Sequence, residues 1–461
     1  MYPDAGVFEL NELTVPEAVE AAGFGKYQIK LLFLGGLIAM AEAMEIMLLS
    51  IISPSLECAW GLSEYQLALI TTVVFIGMAF SATFWGWISD KFGRKPGLLA
   101  AVLFTAIFGV LSAFSPSYPW ILTFRGLAGF GLGSCTLCGA VYCEYLPSKN
   151  RGRLLLILLF FWGIGSVFEV LLGWLVMPTL GWRWFVGLSA CPLALFLLLA
   201  PKFLPESARY YVVTGKAEQA RKTLDQIAKE NGNVIPQGKL KVVAQKRGRF
   251  QDLFSTEMRM TTIILAVLWF IIVFSYYGFV LFATVLYSSN DPCKGGTGQN
   301  QNETNSTCHE LTKSDFMDLL WTSAAETPGN FLSIFLIEWL GRKKTLALEM
   351  TLLAACIATI FACLNNAVLT IMVSLSRAMA LGAFNTLYMY TPEVYPTRIR
   401  ALGTGTASAS GRVGALTTSF VAQVASKTSV YIPIGVYSGL SLVGALLALL
   451  LPIETKGLDS G

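Results

Sequence analysis

Long apolar runs alternate with shorter polar connections along the whole of this 461-residue chain. A bilayer core of about 30 Å requires roughly 20 apolar residues in a membrane-spanning helix. Twelve such runs, numbered here as spans 1 to 12, lie at residues 29–52, 67–89, 97–113, 120–142, 154–177, 185–204, 262–287, 316–340, 345–363, 369–390, 401–426 and 431–451. The pattern predicts an all-α, polytopic membrane protein.

The polar stretches predict how the chain is divided, because spans 6 and 7 are separated by the longest of them. Amphipathic patterning around residues 217–230 predicts a helix within this stretch. The predicted units are a cytoplasmic N-terminal segment (1–28), a six-helix bundle (29–204), a cytoplasmic helical linker (205–260), a second six-helix bundle (261–452) with an outward loop (288–315), and a cytoplasmic tail (453–461).

Composition identifies lipid as the main solvent, since 54% of the residues are hydrophobic and only 13% are charged, about half the charged fraction of soluble domains. One histidine and nine scattered cysteines exclude a His/Cys metal cluster. The sequence also lacks a nucleotide-binding loop and a nucleophile–histidine pair. We therefore expect neither an enzyme nor an ATP-driven pump, and no cofactor. His309 lies in a polar loop, so any proton coupling would use carboxylates.

Positive charge predicts the orientation of the spans. Lys and Arg are concentrated in the linker and in the connections after spans 2, 4, 8 and 10, for example at Arg94 and Arg342. The connections after odd-numbered spans are nearly free of them, with Arg183 and Lys427 as exceptions. Because positively charged connections remain in the cytoplasm, we expect both termini and the linker on that side.

The loop between spans 7 and 8 is then expected outside the cell or in a vesicle lumen. It carries two N-glycosylation sequons, at Asn302 and Asn305, which fit an outward loop. Cys293 and Cys308 lie on either side of these sequons and could form a disulfide in an oxidising compartment. Cys58, also expected outside, is a competing partner, so the pairing stays open.

The two halves of the chain repeat three motifs on the predicted cytoplasmic side. Asp-x-x-Gly-Arg-Lys after span 2 matches Glu-x-x-Gly-Arg-Lys after span 8, and related pairs follow spans 4 and 10 and spans 6 and 12. The paired carboxylates are separated by 248, 249 and 248 residues, namely Asp90 from Glu338, Glu144 from Glu393, and Glu206 from Glu454. Three matches at nearly one offset indicate an internal duplication.

These motifs predict a gate. An acid at a helix end followed by Gly-Arg-Lys can form ion pairs and helix-dipole contacts. Such contacts between the halves could hold one conformation and release another, as alternating access requires. The alternative is that the charges only anchor the spans at the membrane interface. The gate candidates are Asp90, Gly93, Arg94, Lys95, Glu144, Arg151, Glu206, Arg209, Glu338, Arg342, Glu393, Arg400 and Glu454.

The motifs resemble those of the major facilitator superfamily over essentially the whole chain, which implies that fold with its two pseudo-symmetric bundles. Pro205-Glu206-Ser207-Ala208-Arg209 and the closing segment 452–457 are similar to the branch of sugar porters and organic-ion transporters. The glutamine-rich signature of the sugar porters is absent from span 7, where Phe274-Ser275-Tyr276-Tyr277-Gly278 stands instead.

A narrower resemblance is to the synaptic vesicle 2-related group, and the chain is identified as a member of that group or a close paralogue. The motifs that carry it are Glu42-Ala43-Met44-Glu45, Phe161-Trp162-Gly163-Ile164-Gly165, Gly181-Trp182-Arg183-Trp184, Thr391-Pro392-Glu393-Val394-Tyr395-Pro396 and Gly411-Arg412-Val413-Gly414-Ala415. This resemblance does not supply a substrate.

Four carboxylates fall inside predicted spans: Glu42 and Glu45 in span 1, Glu169 in span 5 and Glu326 in span 8. Each intramembrane charge costs on the order of 3 kcal/mol on insertion scales, so such residues usually face a cavity and are functional. Glu42 and Glu45 share a helix face, and neighbouring carboxylates raise each other's proton affinity. We expect proton or ion coupling at these acids; the alternative is a structural role, bound to hydroxyls or to an arginine.

Arg412 is the one cation expected in the middle of span 11. The family resemblance implies that this span lines the central cavity, where a guanidinium can hold a carboxylate bidentately. The alternative is a core salt bridge with Glu42, Glu45 or Glu169. The other candidates for substrate contact are Trp162, Tyr276, Tyr277, Trp321, Phe384, Asn385 and Tyr388. For Arg125 and Arg377, in spans 4 and 10, we expect roles in helix packing or gating.

The sequence thus predicts a secondary transporter of a small organic solute, anionic or zwitterionic, driven by protons or by exchange. The alternative is a non-transporting vesicle protein of the same fold that binds a ligand or a partner. We expect a monomer that contacts membrane lipid and no nucleic acid. Its membrane would be that of an intracellular vesicle, synaptic or secretory, or the plasma membrane.

Overall fold

A computed structural model describes residues 12–133, 135–147, 151–241, 249–288, 310–362, 364–396 and 398–456. Ten helices in this part of the chain are long and apolar enough to cross a membrane. The other two predicted spans are also helical. Span 8 is divided into two shorter helices, and span 11 is rich in Gly, Ser and Thr rather than in large apolar residues. The twelve-helix prediction is therefore confirmed.

Spans 1 to 6 form the first half. Their helices are Lys26–Trp60, Glu64–Phe92, Arg94–Ala113, Tyr118–Leu132 with Cys135–Glu144, Arg151–Leu180, and Trp182–Leu188 with Cys191–Phe203. Spans 7 to 12 form the second half. Their helices are Arg259–Ser288, Lys313–Ala324 with Glu326–Leu340, Arg342–Thr359 with the 3-10 turn Ile360–Ala362, Asn366–Val394, Arg400–Ser419 with the π-helical turn Phe420–Ala425 and Ser426–Thr428, and Tyr431–Leu450.

The break in span 8 has a local cause. Proline has no backbone N–H, so Pro328 cannot donate the usual helical hydrogen bond to the carbonyl four residues earlier. The first helix ends at Ala324 and the second begins at Glu326. The break leaves Glu326 in the first turn of a new helix.

Small residues allow spans 7 and 11 to approach closely. A Cβ atom added to Gly414 would lie 2.5 Å from the carbonyl oxygen of Phe270. Ser410 Oγ donates a hydrogen bond of 2.8 Å to the carbonyl of Ala266 across the same interface. Close backbone packing through small residues is a typical way to hold membrane helices together.

The predicted cytoplasmic ends of the two halves carry matching charge clusters. In the first half, Arg94 lies 3.8 Å from Glu144, and its backbone N–H donates to Glu206 at 2.7 Å. In the second half, Arg342 pairs with Glu393 at 3.0 Å, and its backbone N–H donates to Glu454 at 2.9 Å. The same arrangement at an offset of 248 residues supports the internal duplication.

The contacts described for each cluster lie within a single half, so they are not the contacts between halves that the gate prediction expects, and the gate stays a prediction. Each joins the connection after the second span of its bundle to the end of the fourth span and to the segment after the sixth. Arg94 also pairs with Asp90 at 3.0 Å. Gly93 and Gly341 precede the two arginines with φ of 113° and 88°, which only glycine adopts readily. In this conformation the clusters brace each bundle separately.

The N-terminal segment and the linker together form a small structured unit. Strand Glu12–Thr14 pairs in parallel with strand Lys239–Lys241, and helix Val15–Ala22 packs against helix Ala217–Asn231. The remaining regular elements of the linker are helix Ala208–Val213 and the 3-10 turn Phe250–Phe254. The helix predicted near residues 217–230 is confirmed, whereas the strand pair was not predicted.

Asn231 joins this unit to the start of span 1. Its side chain accepts from the backbone N–H of Tyr27 at 3.1 Å and donates to the carbonyl oxygens of Ala22 and Gly23 and to Gln28 Oε1. Lys30 forms an ion pair with Glu230 beside it. These contacts fix the orientation of the linker helix relative to span 1.

We predict that Asn231→Ala loosens this junction, because several part-buried hydrogen bonds are lost together at a cost of about 1–2 kcal/mol. Hydrogen exchange of residues 15–28 should become faster, while the membrane spans keep their protection. Thr223→Ala is the matched control, since Thr223 bonds only to Gln219 in its own helix. Unchanged exchange in Asn231→Ala would contradict the prediction.

Candidate functional site

The two halves contact each other on the predicted outer side of the membrane. Ser50 Oγ in span 1 contacts Thr284 Oγ1 in span 7, and Gln423 Nε2 in span 11 donates to Ser53 Oγ at 3.2 Å. Further out, Lys427 forms an ion pair of 3.0 Å with Glu57. These contacts hold the outer ends of the halves together in this conformation.

A second set of contacts, which we call the central bridge, joins the halves at mid-membrane and consists of Met47, Trp162, Tyr276, Glu326 and Arg377. Trp162 Nε1 in span 5 donates to the hydroxyl of Tyr276 in span 7 at 2.7 Å. That hydroxyl donates to Glu326 Oε1 in span 8 at 3.4 Å. Arg377 in span 10 donates to the same oxygen at 2.6 and 3.0 Å and contacts the sulfur of Met47 in span 1 at 3.4 Å.

The ion pair within the bridge is fully buried. The side chain of Glu326 is 0% exposed and that of Arg377 is 1% exposed. Each keeps one atom, Glu326 Oε2 and Arg377 Nη1, without a hydrogen-bond partner among the residues that the structure describes. A buried ion pair carries a large desolvation cost, so removing either partner leaves an uncompensated charge. The pair therefore places polar groups with spare hydrogen-bonding capacity at the interface between the halves.

The first half contains a related pair. Arg125 in span 4 forms an ion pair with Glu45 in span 1, and the arginine side chain is 1% exposed. Glu169 in span 5 is also buried; it accepts a hydrogen bond of 2.6 Å from Ser189 and interacts electrostatically with Glu45 and Arg125. Two nitrogens of Arg125 and one oxygen of Glu169 have no hydrogen-bond partner in the described part of the chain. Each half thus contains one buried arginine on its fourth span paired with an acid.

These contacts show the surroundings of the four intramembrane acids that the sequence analysis named. Glu45 and Glu326 are bound to arginines, Glu169 is bound to a serine, and Glu42 is buried in the same span as Glu45. The alternative of a core salt bridge between Arg412 and Glu45 is not what the structure contains, because Glu45 pairs with Arg125. Arg125 and Arg377 do pack helices together, as expected, and they do so by neutralising the buried acids.

Aromatic side chains surround the bridge on the side of the second half. Phe384 lies between Tyr276 and Tyr388, with ring centroids 6.0 and 6.4 Å away. Trp269 packs against Phe384 at 5.8 Å, and its Nε1 donates to Thr391 at 2.9 Å. The aromatic surface therefore continues from the bridge toward the predicted cytoplasmic side.

Three other residues predicted to contact substrate lie in different surroundings. Tyr277 stacks on Phe75 of span 2 with centroids 5.2 Å apart, adding a further contact between the halves. Asn385 donates to Asn330 at 2.6 Å, within the second half. Trp321 does not join this group, because its side chain is 63% exposed in the predicted outer half of span 8.

Arg412 lies in the middle of the span 11 helix and is half-buried. It forms no hydrogen bond or ion pair with the residues that the structure describes. The opposing flank of its helix, with Gly411 and Gly414, packs against span 7.

Three predicted features fall on parts of the chain for which no structure is described. Asn302, Asn305, Cys293 and Cys308 lie outside the described residues, as does the side chain of Arg151, so the sequons, the Cys293–Cys308 pairing and this gate residue stay predictions. Cys58, the competing cysteine, is disulfide-bonded. Arg400 is described and donates to the carbonyl of Tyr395 at 3.3 Å.

Sequence reasoning did not predict Trp269, Phe75, Met47 and Asn330 as part of this region. Trp269 lies seven residues before Tyr276, a spacing that puts both on one helix face, so the sequence contained a usable signal. Met47 and Phe75 are ordinary apolar residues of their spans. Their contacts with Arg377 and Tyr277 depend on how the two halves dock, which no local pattern encodes.

Comparison with known proteins identifies what the chain resembles. The family described as "Sugar (and other) transporter" matches residues 33–460. The "Synaptic vesicle 2-related protein" of Rattus norvegicus is 50% identical over 446 residues, covering 96% of this chain and 81% of that protein. The "Putative transporter svop-1" of Caenorhabditis elegans is 47% identical over 448 residues, covering 96% of this chain and 86% of that protein.

The fold has a counterpart among solved structures. The xylose transporter XylE from E. coli, in a partially occluded inward-open conformation, superposes with a TM-score of 0.74 and covers 94% of this chain and 99% of that one. Its sequence identity is 19%, so the likeness concerns the fold. It agrees with the twelve-helix, two-bundle architecture described above.

We predict strong coupling between Glu326 and Arg377. Glu326→Leu or Arg377→Met alone should lower the free energy of unfolding by about 3–5 kcal/mol, because a lone buried charge remains, whereas the double variant should recover most of the loss. The measurement is thermal unfolding of the purified protein in detergent. The control pair is Glu57→Leu with Lys427→Met, an exposed ion pair worth at most about 1 kcal/mol. A double variant as unstable as the sum of its parts would refute the coupling.

Proposed function

The chain belongs to the sugar (and other) transporter family, within the major facilitator superfamily, and we propose that it moves a small anionic or zwitterionic organic solute by alternating access, driven by protons or by exchange. The observation that carries the choice of substrate class is Arg412, a half-buried cation in the middle of span 11 with no acidic partner in the described part of the chain. A desolvated guanidinium is stabilised by an anion, and its planar donors match a carboxylate.

The aromatic surface near the bridge supports an organic solute. Phe384, Tyr388 and Trp269 offer ring faces and edges on the predicted cytoplasmic side of the Tyr276 hydroxyl. Aromatic side chains contribute large apolar contact areas, and Tyr adds a polar group for orientation. A solute with a carboxylate and an apolar body would use both kinds of contact.

The ion pair of Glu45 and Arg125 supports coupling to protons. A proton that binds Glu45 neutralises the carboxylate and leaves Arg125 without its counter-ion, which favours a different arrangement of the helices around it. Glu169 interacts electrostatically with the same pair and is a second acid that can take over part of this role. Release of the proton restores the ion pair. Proton binding and proton release can therefore favour opposite conformations in one cycle.

Alternating access then requires the contacts on the predicted outer side to break and re-form. Those contacts are hydrogen bonds, one exposed ion pair and ring stacking, each of modest strength, which suits an interface that opens. The two charge clusters brace the bundles separately and would let each bundle move as one body. We place both termini in the cytoplasm, as the distribution of Lys and Arg predicts, and the chain in a vesicle or plasma membrane. A vesicle membrane is in keeping with the names of its relatives.

We predict that Arg412→Ala loses binding of carboxylate-bearing solutes while expression is retained. Loss of the guanidinium removes a partly desolvated ion pair with the ligand, worth about 2–5 kcal/mol of binding free energy. The measurement is thermal stabilisation by a panel of organic anions, cations, zwitterions and sugars. Arg412→Lys should retain part of the effect. Arg183→Ala is the control, because Arg183 packs on Trp182 away from mid-membrane. A panel in which cations or sugars stabilise best would refute the role of Arg412.

We predict that Glu45→Gln flattens the pH dependence of uptake, because a neutral amide, unlike a carboxylate, does not gain or lose charge between acid and neutral pH. Uptake of the best solute from the panel would be measured in proteoliposomes between about pH 4 and pH 8, a range that includes the ordinary pKa of a glutamate. Glu57→Gln is the matched control in the same span, since Glu57 pairs with Lys427 at the predicted outer end. An unchanged pH profile in Glu45→Gln would eliminate the coupling role.

A further inference from the structure

A second buried acid lies inside the second half, away from the central bridge. Glu349 is in span 9, two turns from the start of the helix at Arg342, and its side chain is 0% exposed. Thr386 in span 10 donates a hydrogen bond of 2.9 Å to Glu349 Oε2. No lysine or arginine among the described residues pairs with it. The acid was not singled out from the sequence, where it lies only four residues inside the predicted span.

The other carboxylate oxygen of Glu349 lies beside Ser333 and Gly382. Oε1 has no hydrogen-bond partner in the part of the chain that is described. Ser333 in span 8 lies beside it, but its hydroxyl donates to the carbonyl of Gly329 at 3.0 Å and leaves a lone pair free. A Cβ atom on Gly382 would approach Ser333 Oγ closely and lie 2.7 Å from Glu349 Oε1. Both oxygens can therefore lie this close to the backbone of span 10 because residue 382 has no side chain.

A small pocket lies next to Ser333. It is lined by Asn330, Ser333, Ile334, Ile337 and Asn385. Asn385 donates to Asn330 across it at 2.6 Å, and both amides are buried. Ser333 lines this pocket and also lies beside Glu349, so hydroxyl and amide oxygens connect the carboxylate with the pocket.

The first half shows that the bundle fold does not need these polar groups. With the offset of 248 residues after spans 2 and 8 and of 249 after spans 4 and 10, Glu349 corresponds to Ala101, Ser333 to Trp85 and Thr386 to Leu137. All three are buried, and the indole of Trp85 donates to the carbonyl of Phe130 at 2.8 Å. The first half therefore fills this place with an indole, a methyl group and a leucine side chain, while the second half keeps a carboxylate and two hydroxyls there at a cost in stability.

We propose that Glu349, Ser333 and Thr386 form a binding site for a monovalent alkali-metal cation, with Asn330 and Asn385 lining its entrance. Hard cations bind carboxylate, hydroxyl and amide oxygens. The single carboxylate is the only charged donor among these groups, so a monovalent cation neutralises the site, whereas a divalent cation would leave a buried positive charge. The site would join spans 8, 9 and 10 within the second half.

The test is thermal unfolding of the purified full chain in Na⁺, K⁺ or N-methyl-D-glucamine chloride at constant ionic strength and pH. Wild-type protein should be stabilised by Na⁺ or K⁺ in a saturable way, and equilibrium binding of radioactive ²²Na⁺ or ⁸⁶Rb⁺ should give one ion per chain. Glu349→Gln should abolish both effects. Thr386→Val, which leaves the charge but removes the orienting hydroxyl, should weaken binding by about 10–100-fold.

The control variant is Ser376→Ala, in which a buried serine of span 10 loses only its bond to the carbonyl of Met372. It should keep the full cation effect. Equal stability in all three salts would overturn the proposal, as would a cation effect unchanged in Glu349→Gln or a dependence on pH alone. If Glu349→Gln does not fold, Thr386→Val and Ser333→Ala decide. The experiment needs no transported solute, so its failure leaves the proposed transport function untouched.

Discussion

A charged side chain inside a bilayer has no water to solvate it, so it must find a partner of opposite charge or remain very costly. The ion pair of Glu326 and Arg377 meets this requirement where the two halves of the protein meet. Its oxygen also receives the Tyr276 hydroxyl, which in turn accepts from Trp162 of the other half. One buried pair thereby fixes the second half internally and connects it to the first.

The duplication gives the protein two similar bundles, but their interiors are not equivalent. The charge clusters at Arg94 and Arg342 have equivalent partner residues. In both bundles an arginine on the fourth span also forms an ion pair with an acid. The acids themselves come from different places, Glu45 from the first span of its bundle and Glu326 from the second. The shared clusters brace the two bundles, whereas the intramembrane acids differ between them.

The sequence is sufficient for the architecture because lipid imposes length and polarity on every span. The twelve spans, the duplication and the helix near 217–230 all follow from such local patterns. The pairing of arginines with acids does not follow from local patterns. Glu45 and Arg125, for example, are 80 residues apart and meet only through helix packing. The strand pair of Glu12–Thr14 with Lys239–Lys241 is equally hidden, because two three-residue strands so far apart carry no local signal.

The two halves are expected to rotate relative to each other as two rigid bodies during alternating access. Distances measured between spin labels test this motion most directly. Ketone-bearing amino acids would carry the labels and leave the native cysteines intact, with one pair at Tyr65 and Ile432 on the predicted outer side and another at Phe92 and Trp339 on the cytoplasmic side, all exposed. Weakening the outer contacts with Ser50→Val and Gln423→Leu should lengthen the outer distance and shorten the cytoplasmic one in the same fraction of molecules. An outer distance that lengthens while the cytoplasmic one stays fixed would contradict the account.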